Sequence, residues 1–485
     1  MRKNLKYFLI LFIILPCCLL FAGCTMPSTT VYVTDIVKSD NNGLYTIYYS
    51  DGTTSTITIE DGKDGENSTV DINELFASCV EKGLYENSND GYRQFVLDYF
   101  SPENNETSTT LAVNKGLQSA VSVYAAYPTT KTFQYQTTYS ISAGAGVIYS
   151  LDNESDVSYI ITNYHVVYAT DSSTSNKIAN DIYVYQYGIV ETINIPETAT
   201  TNYSGHYLSY SFGGGAVKCE YVGGAMNYDI AVLKAKTSDL LANNPTARAV
   251  DIADTYSVGN TAIAIGNPEA DGISATKGMV SVDSEYLNMT GADDVTKVNF
   301  RVMRIDTSVN GGNSGGGLFN INGELIGIVN AKALTTIGGT NLENMAYALP
   351  IDNVKRVADN IIYYHTSTNS VASVKKLNLG ITITNQNGKA NYNEETGKII
   401  VTDETLISDI VTNGIADKMR IEIGDVITAI TINGNKIPLS RHYQLGDILL
   451  TIRAGDTVAL TVKTELGEKT WGPRTITLSD LTVIA

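Results

Sequence analysis

Between about Thr109 and Tyr364 the chain repeats one pattern: short apolar runs of strand length, each stopped by Gly, Asn or Asp. No other feature limits the fold so strongly. Such alternation is the mark of an all-β sandwich or barrel, because each run buries one face and the turn residues close each link. The pattern gives way after Ala348-Leu349-Pro350 to helical spacing from Asp352 to about Tyr363. Residues 365–374 are rich in Ser, Thr and Asn and read as a linker. Residues 375–485 are strand-rich again, with a hydrophobic set of their own. Ahead of the long β region, residues 67–108 space Ile72, Leu75, Phe76 and Val80, then Phe95 to Phe100, as two short helices. Residues 24–66 form a polar spacer, in which Asp51-Gly52 joins two strand-like runs into a β-hairpin. A chain of 485 residues with this many changes of character is expected to hold several units.

The first residues read as an export signal. Arg2, Lys3 and Lys6 precede an apolar run over residues 7–21, shorter than the about 20 residues a membrane span needs. The run ends in Phe21-Ala22-Gly23-Cys24, which resembles the lipobox of bacterial lipoproteins. Residues 1–23 are then a lipoprotein signal and Cys24 the lipidated residue. Its two acyl chains would hold the rest of the chain outside the cytoplasmic membrane. The alternative is an ordinary cleaved signal beside an incidental cysteine.

Charge excludes one class of partner. Lys+Arg number 33 against 51 Asp+Glu, a net charge of −18, and nucleic-acid binding needs clustered cations. Beyond the front segment only Cys79 and Cys219 remain, so one disulfide is the most that can form and a disulfide framework is excluded. Nothing in the sequence calls for a metal or a cofactor.

Only four histidines occur, at 165, 206, 365 and 442, and this makes the search for a general base sharp. His206 lies in a Ser/Gly/Tyr-rich stretch and reads as a surface loop residue, His365 falls in the linker, and His442 reads as exposed. His165 ends the apolar strand Tyr159-Ile-Ile-Thr-Asn-Tyr-His-Val-Val167, where it is held rigidly. Asp229 opens another apolar strand, Asp229-Ile-Ala-Val-Leu-Lys234; by itself it is more readily a strand-start cap. Ser314 sits in Asn310-Gly-Gly-Asn-Ser-Gly-Gly-Gly317, bracketed by core residues 302–305 and Leu318-Phe319. A phosphate cradle would need a Gly-Lys-Ser/Thr opening a helix, which is absent, and a flexible linker would not be bracketed by core residues. A hydroxyl nucleophile needs an imidazole to take its proton, a carboxylate to orient the imidazole, and converging N–H donors for the oxyanion. Glycines permit a turn that aims two amides one way. The candidate donors are the N–H groups of Gly312 and Ser314.

Taken in order, Thr-Asn-Tyr-His-Val-Val, Asp-Ile-Ala-Val-Leu-Lys and Gly-Asn-Ser-Gly-Gly resemble the motifs of the HtrA/Deg family of trypsin-like serine proteases. The resemblance runs over roughly residues 115–485. It implies a mostly β fold: a chymotrypsin-like double β-barrel over residues 109–364 with the site in the cleft, followed by a PDZ domain over 375–485. It makes His165 the base, Asp229 its orienter and Ser314 the nucleophile. Gly327-Ile-Val-Asn330 matches a strand lining the primary specificity pocket, so Ile328, Val329 and Asn330 are the expected pocket residues. Leu379-Gly380-Ile381 matches the PDZ loop whose amides hold a peptide carboxylate. Polypeptide substrates, peptide C-termini and a homotrimer are the partners the resemblance implies, with extracytoplasmic protein quality control as the role. Two departures stand out: Gly317 replaces a usual proline, which should loosen the turn, and residues 190–214 form an insertion near the cleft that would restrict substrate. The rival readings are an inactive, tethered peptide-binding module and, from the Tyr/Thr/Ser-rich front end, a surface adhesin.

Overall fold

The computed structural model describes residues 104–330, 345–394 and 397–484 throughout, and before residue 104 only short stretches, chiefly 33–38, 44–49 and 54–58. The expected signal segment, Cys24, the Asp51-Gly52 link and Ala331 lie outside the described residues. The chain divides into two compact units, Met1–Thr107 and Ser108–Ala485. In the first, strands Val33–Lys38, Leu44–Tyr49 and Thr54–Thr58 pair antiparallel in chain order. Phe76 and Tyr92 meet edge to face, and both lie tilted against the buried Phe95. A helix over Asn104–Leu117 runs past Thr109, where the strand pattern was expected to begin.

The second unit is built on two six-stranded barrels. Strands β1 (Ala120–Phe133), β2 (Gln136–Asp152), β3 (Val157–Thr162), β4 (Asp181–Gln186), β5 (Val217–Ala225) and β6 (Ile230–Ala235) pair in the ring order β6-β3-β2-β1-β4-β5. The β5–β6 pairing closes it. Strands β7 (Thr261–Gly266), β8 (Ser274–Thr290), β9 (Lys297–Ile305), β10 (Gly317–Phe319), β11 (Leu325–Asn330) and β12 (Ala346–Pro350) close a second barrel in the order β7-β8-β9-β12-β11-β10. Alternate residues point inward along these strands: Ile160 on β3, Val184 on β4 and Leu233 on β6 fill the first barrel. Val280, Met303, Leu318 and Val329 fill the second. A third cluster spans both barrels, joining Val222 and Ile230 to Phe319, Ile328 and Leu349.

Helix α1 (Ile351–Thr368) seals that joint with Val354, Val357, Ala358 and Ile361, all fully buried at helical spacing. It runs five residues past the expected end and takes His365 and residues 366–368 out of the linker. The reason is local: the hydroxyls of Thr366, Ser367 and Thr368 each donate back to carbonyls of the preceding turn, and Asn369 closes the helix in a left-handed conformation. Strand Ala372–Leu377 then adds to the first barrel in parallel beside β5, and Leu481–Ile484 adds outside it. The remaining C-terminal strands form a separate sheet carrying helix α2 (His442–Ile448) over a core of Ile407, Ile430, Leu445 and Leu460. Asn433-Gly434, both at positive φ, make the tight turn of one of its hairpins.

Cys79 and Cys219 are both buried and no disulfide joins them. Two further expectations change. His206 is buried, its Nε2 3.2 Å from the Lys131 ammonium, because the insertion folds back onto β1 and β2. His442 is only 19% exposed at its side chain, with Nδ1 3.0 Å from Asp403 Oδ1.

Candidate active site

The first barrel contributes a locked pair. β3 and β6 are hydrogen-bonded neighbours, with Thr162 opposite Ala231, so the residues just after one and just before the other meet at one end of the barrel. Asn163 leads into a single helical turn, Tyr164–Val167, that presents His165. Asp229 ends the four-residue link of the β5–β6 hairpin at φ +51°, a left-handed position that aspartate tolerates better than most residues. Its carboxylate is 1% exposed and accepts from three donors. His165 N–H donates to Oδ1 at 3.0 Å, His165 Nδ1 lies 2.7 Å from Oδ2, and Asn330 Nδ2 donates to Oδ2 at 2.9 Å. An ionised carboxylate only accepts, so Nδ1 carries the imidazole proton and Nε2 is left as the basic nitrogen. Asn163 Nδ2 also fixes the backbone by donating to Asp229 O at 2.9 Å.

The second barrel contributes a turn held by its backbone. Ser314 lies between β9 and β10 and is 6% exposed. Its carbonyl accepts from Ala145 N–H of β2 at 2.8 Å, which ties the turn to the opposite barrel. Gly315 N–H donates to Val329 O, and Val329 N–H returns to Gly316 O at 2.8 Å. Gly312 and Gly315 sit at φ +91° and +86°. A Cβ would meet Asn267 O at 2.1 Å in the first case and Ala145 O at 2.2 Å in the second, so neither position accepts a side chain. Gly144 on β2 does the complementary job. A Cβ there would strike Val166 at 2.7 Å and come within 3.1 Å of Ser314 O, so this glycine lets the His165 turn and the Ser314 turn approach each other.

Each predicted site residue therefore has a definite place. His165 and Asp229 are bonded, and the Ser314 turn is brought against the segment that leads to His165: a Cβ on Gly315 would also lie 2.3 Å from Thr162 Oγ1 and 3.0 Å from Asn163 N. The three pocket residues need correction. Ile328 and Val329 are fully buried in two core clusters, and their backbone is paired on both sides, to β12 and to residues 315–317. Asn330 points to Asp229 instead of a pocket. Strand alternation set their direction, and a resemblance of motif alone did not reveal it. Gly317 does not loosen the turn. It is buried as the first residue of β10, paired on both sides, and the Phe319 ring takes the space a Cβ would need. Gly144 and Asn163 were missed. The small-residue run Ala143-Gly-Ala-Gly146 inside a strand was the available signal for the first, since glycine within a strand marks close approach.

Farther from this pair, Leu379 is buried and Gly380 stands at φ +70° with its N–H on Asn378 Oδ1. Beside them a cavity of about 260 Å³ is lined by Leu379, Ile381, Ile383, Leu445 and Leu449, with Lys376 at one end. Among the described residues no cluster of His, Cys, Asp and Glu has the makings of a metal site, and no helix is long and apolar enough to cross a membrane.

Two interlocked barrels with a histidine–aspartate pair facing a glycine-bound serine turn define a trypsin-like peptidase domain. Residues 144–328 match the family model described as a trypsin-like peptidase domain. The chain is 30% identical over 323 residues to the periplasmic serine endoprotease DegP of Escherichia coli K12, covering 66% of this chain and 54% of that one. It is 26% identical over 325 residues to the serine protease Do-like HtrA of Lactococcus lactis subsp. lactis IL1403, covering 66% and 67%. It is 30% identical over 245 residues to a probable periplasmic serine protease do/HhoA-like of Haemophilus influenzae, covering 50% and 47%. The chain thus spans about half the length of the Escherichia and Haemophilus relatives. A solved structure titled HtrA-type protease AlgW with decapeptide overlaps 75% of this chain and 96% of that chain at 21% identity and a TM-score of 0.44. The family model and the curated relatives together support a place among the HtrA/DegP-family trypsin-like serine proteases.

Proposed function

We propose that the chain is a serine endopeptidase that hydrolyses peptide bonds of polypeptide substrates through an acyl-enzyme. The observation that carries this reading is the His165–Asp229 pair, its Nε2 side left basic, on the barrel to which the Ser314 turn is bonded. In this reading His165 takes the proton of Ser314 Oγ as the oxygen attacks the scissile carbonyl, then returns it to the leaving amine. Asp229 keeps the tautomer and stabilises the imidazolium, and Asn330 holds Asp229. The N–H groups of Gly312 and Ser314 receive the oxyanion. The relatives' names support extracytoplasmic proteolysis, and a role in clearing unfolded proteins outside the cytoplasm fits it. The cavity between residues 381–383 and α2, closed by Leu379-Gly380-Ile381, suits a PDZ-type groove for a peptide C-terminus, with apolar side chains below and loop amides at the end. Lipidation at Cys24 and a homotrimer complete the proposal, drawn from the sequence motif and the family resemblance.

Casein or a fluorogenic peptide library, compared between wild type and Ser314→Ala, tests the central claim. Hydrolysis that falls by roughly 10⁶ in kcat supports it. Equal rates in the two proteins sink it.

A further inference from the structure

The insertion over residues 190–214 folds as a flap on the first barrel. Its strands Ile193–Asn194 and Ser211–Phe212 pair, and Phe212 stacks on Tyr183 with ring centroids 4.5 Å apart. At its entry Glu191 turns inward. Both carboxylate oxygens are used: Ser122 Oγ donates to Oε1 and Tyr124 OH donates to Oε2. Ser122 and Tyr124 are 0% and 3% exposed, so a carboxylate from an outside loop reaches two buried hydroxyls of β1.

The chain of bonds does not stop there. Tyr124 OH accepts from Asn267 Nδ2 at 3.3 Å, and Asn267 Oδ1 accepts from Gly272 N–H at 2.9 Å. Asn267 is itself fully buried and opens the turn after β7. That turn holds the glycines ahead of Ser314: Glu269 N–H donates to Gly311 O at 2.7 Å, and Asn267 O occupies the space beside Gly312. Across a planar trans peptide the C=O of Gly311 and the N–H of Gly312 point in opposite directions. Pinning the carbonyl on Glu269 therefore turns the Gly312 N–H the other way, as an oxyanion donor requires.

We infer that Glu191 is a positioning residue for the oxyanion turn, acting through Tyr124 and Asn267. This rests on the proteolytic reading of the site and adds to it a role for the insertion. The carboxylate matters because it accepts only. It obliges Tyr124 to donate outward, which leaves the phenol oxygen's lone pairs for Asn267 Nδ2, and this fixes the amide orientation that lets Oδ1 hold Gly272. Burial together with the Glu191 carboxylate raises the Tyr124 phenol above its ordinary pKa, so it stays a donor through the physiological range. Removing Glu191 leaves Tyr124 free to turn its proton toward Asn267, and the turn loses its fixed sense.

The test compares wild type, Glu191→Ala and Tyr124→Phe in the full chain. An interaction made only in the transition state changes kcat and spares KM. For both variants the expected result is kcat lower by roughly 10- to 100-fold, below the full 10²–10³ of a lost oxyanion donor, with KM nearly unchanged. A peptide boronate, whose adduct places an oxygen in the oxyanion site, should lose affinity by the same factor. Peptide binding to Ser314→Ala should be the same with or without Glu191→Ala. Wild-type kcat and boronate affinity in both variants would overturn the inference, as would a loss confined to KM. Hydrogen exchange across residues 266–272 and 306–319 decides independently of activity. It should quicken in both variants while the melting temperature holds, and unchanged exchange overturns the positioning role. Should wild type match Ser314→Ala in every assay, the proteolytic reading falls by itself, and exchange still decides whether Glu191 orders this turn.

Discussion

The two halves of the site are built by different means. On the first barrel Asp229 is fixed by side-chain bonds: His165 and, reaching over from β11 of the second barrel, Asn330 converge on one carboxylate, with Asn163 behind it. The Ser314 turn of the second barrel is fixed through its backbone, by glycines at positive φ and carbonyls, one of them from the first barrel, that leave no space for a Cβ. The difference teaches where each half is fragile. A side-chain lock fails when its chemistry changes and the shape stays. A backbone lock fails when any atom is added.

Four experiments would break or sharpen that contrast. Asp229→Asn keeps shape and removes charge, so kcat should drop by about 10⁴ while the circular dichroism and melting curve stay close to wild type. A collapsed fold there would mean that the first half also depends on packing. Gly315→Ala should do the reverse. A Cβ 2.2 Å from Ala145 O at φ +86° is expected to cost on the order of 3–5 kcal/mol of stability, read by urea unfolding, and a neutral result would refute the backbone lock. Asn330→Ala removes one of three donors to a buried carboxylate. A hydrogen bond to a charged group contributes about 1.5–3 kcal/mol, so kcat should fall by about 10- to 100-fold with substrate affinity kept. If instead the preference among substrates changes, Asn330 belongs to the pocket after all.

The smallest expected effect lies outside the site and marks a third way of holding structure. Asp447 on α2 is buried, accepts from Asn353 Nδ2 at 2.7 Å and pairs with Arg301 at 3.1 Å. Burial pushes its carboxyl above the ordinary range, and Arg301 offsets that only in part, being shared with Asp352. A raised carboxyl binds its proton more tightly in the folded chain. Its protonation-linked stability is therefore present below the ordinary carboxylate pKa and lost as pH rises through the folded value. The stability of wild type relative to Asp447→Asn should decline from about pH 4 towards neutrality in paired urea titrations. A difference that grows with pH would show that Arg301 outweighs burial.

Much was legible in the chain because the relevant chemistry is local. Strand-and-turn alternation marks the long β region, since each run needs only its own period to bury a face, while its closure as two barrels was implied only by the motif resemblance. Scarcity of histidine, an aspartate at a strand mouth and a serine among glycines single out His165, Asp229 and Ser314, because few other residue types can fill those roles. The helix end was misjudged for the opposite reason. Thr366, Ser367 and Thr368 look like linker by composition, yet their hydroxyls bond back to the helix they continue.

What the tertiary structure decided are the pairings between distant segments. Asn330 meets Asp229 across 101 residues, and Glu191 meets Tyr124 across 67. Strand alternation sends Val329 into the closed barrel and Ile328 to the opposite face, where the joint between the barrels buries it. The identity of a catalytic group is a property of its side chain and can be read from sequence. Its orientation is set by neighbours the chain brings up only on folding, and a single sequence carries no local trace of them.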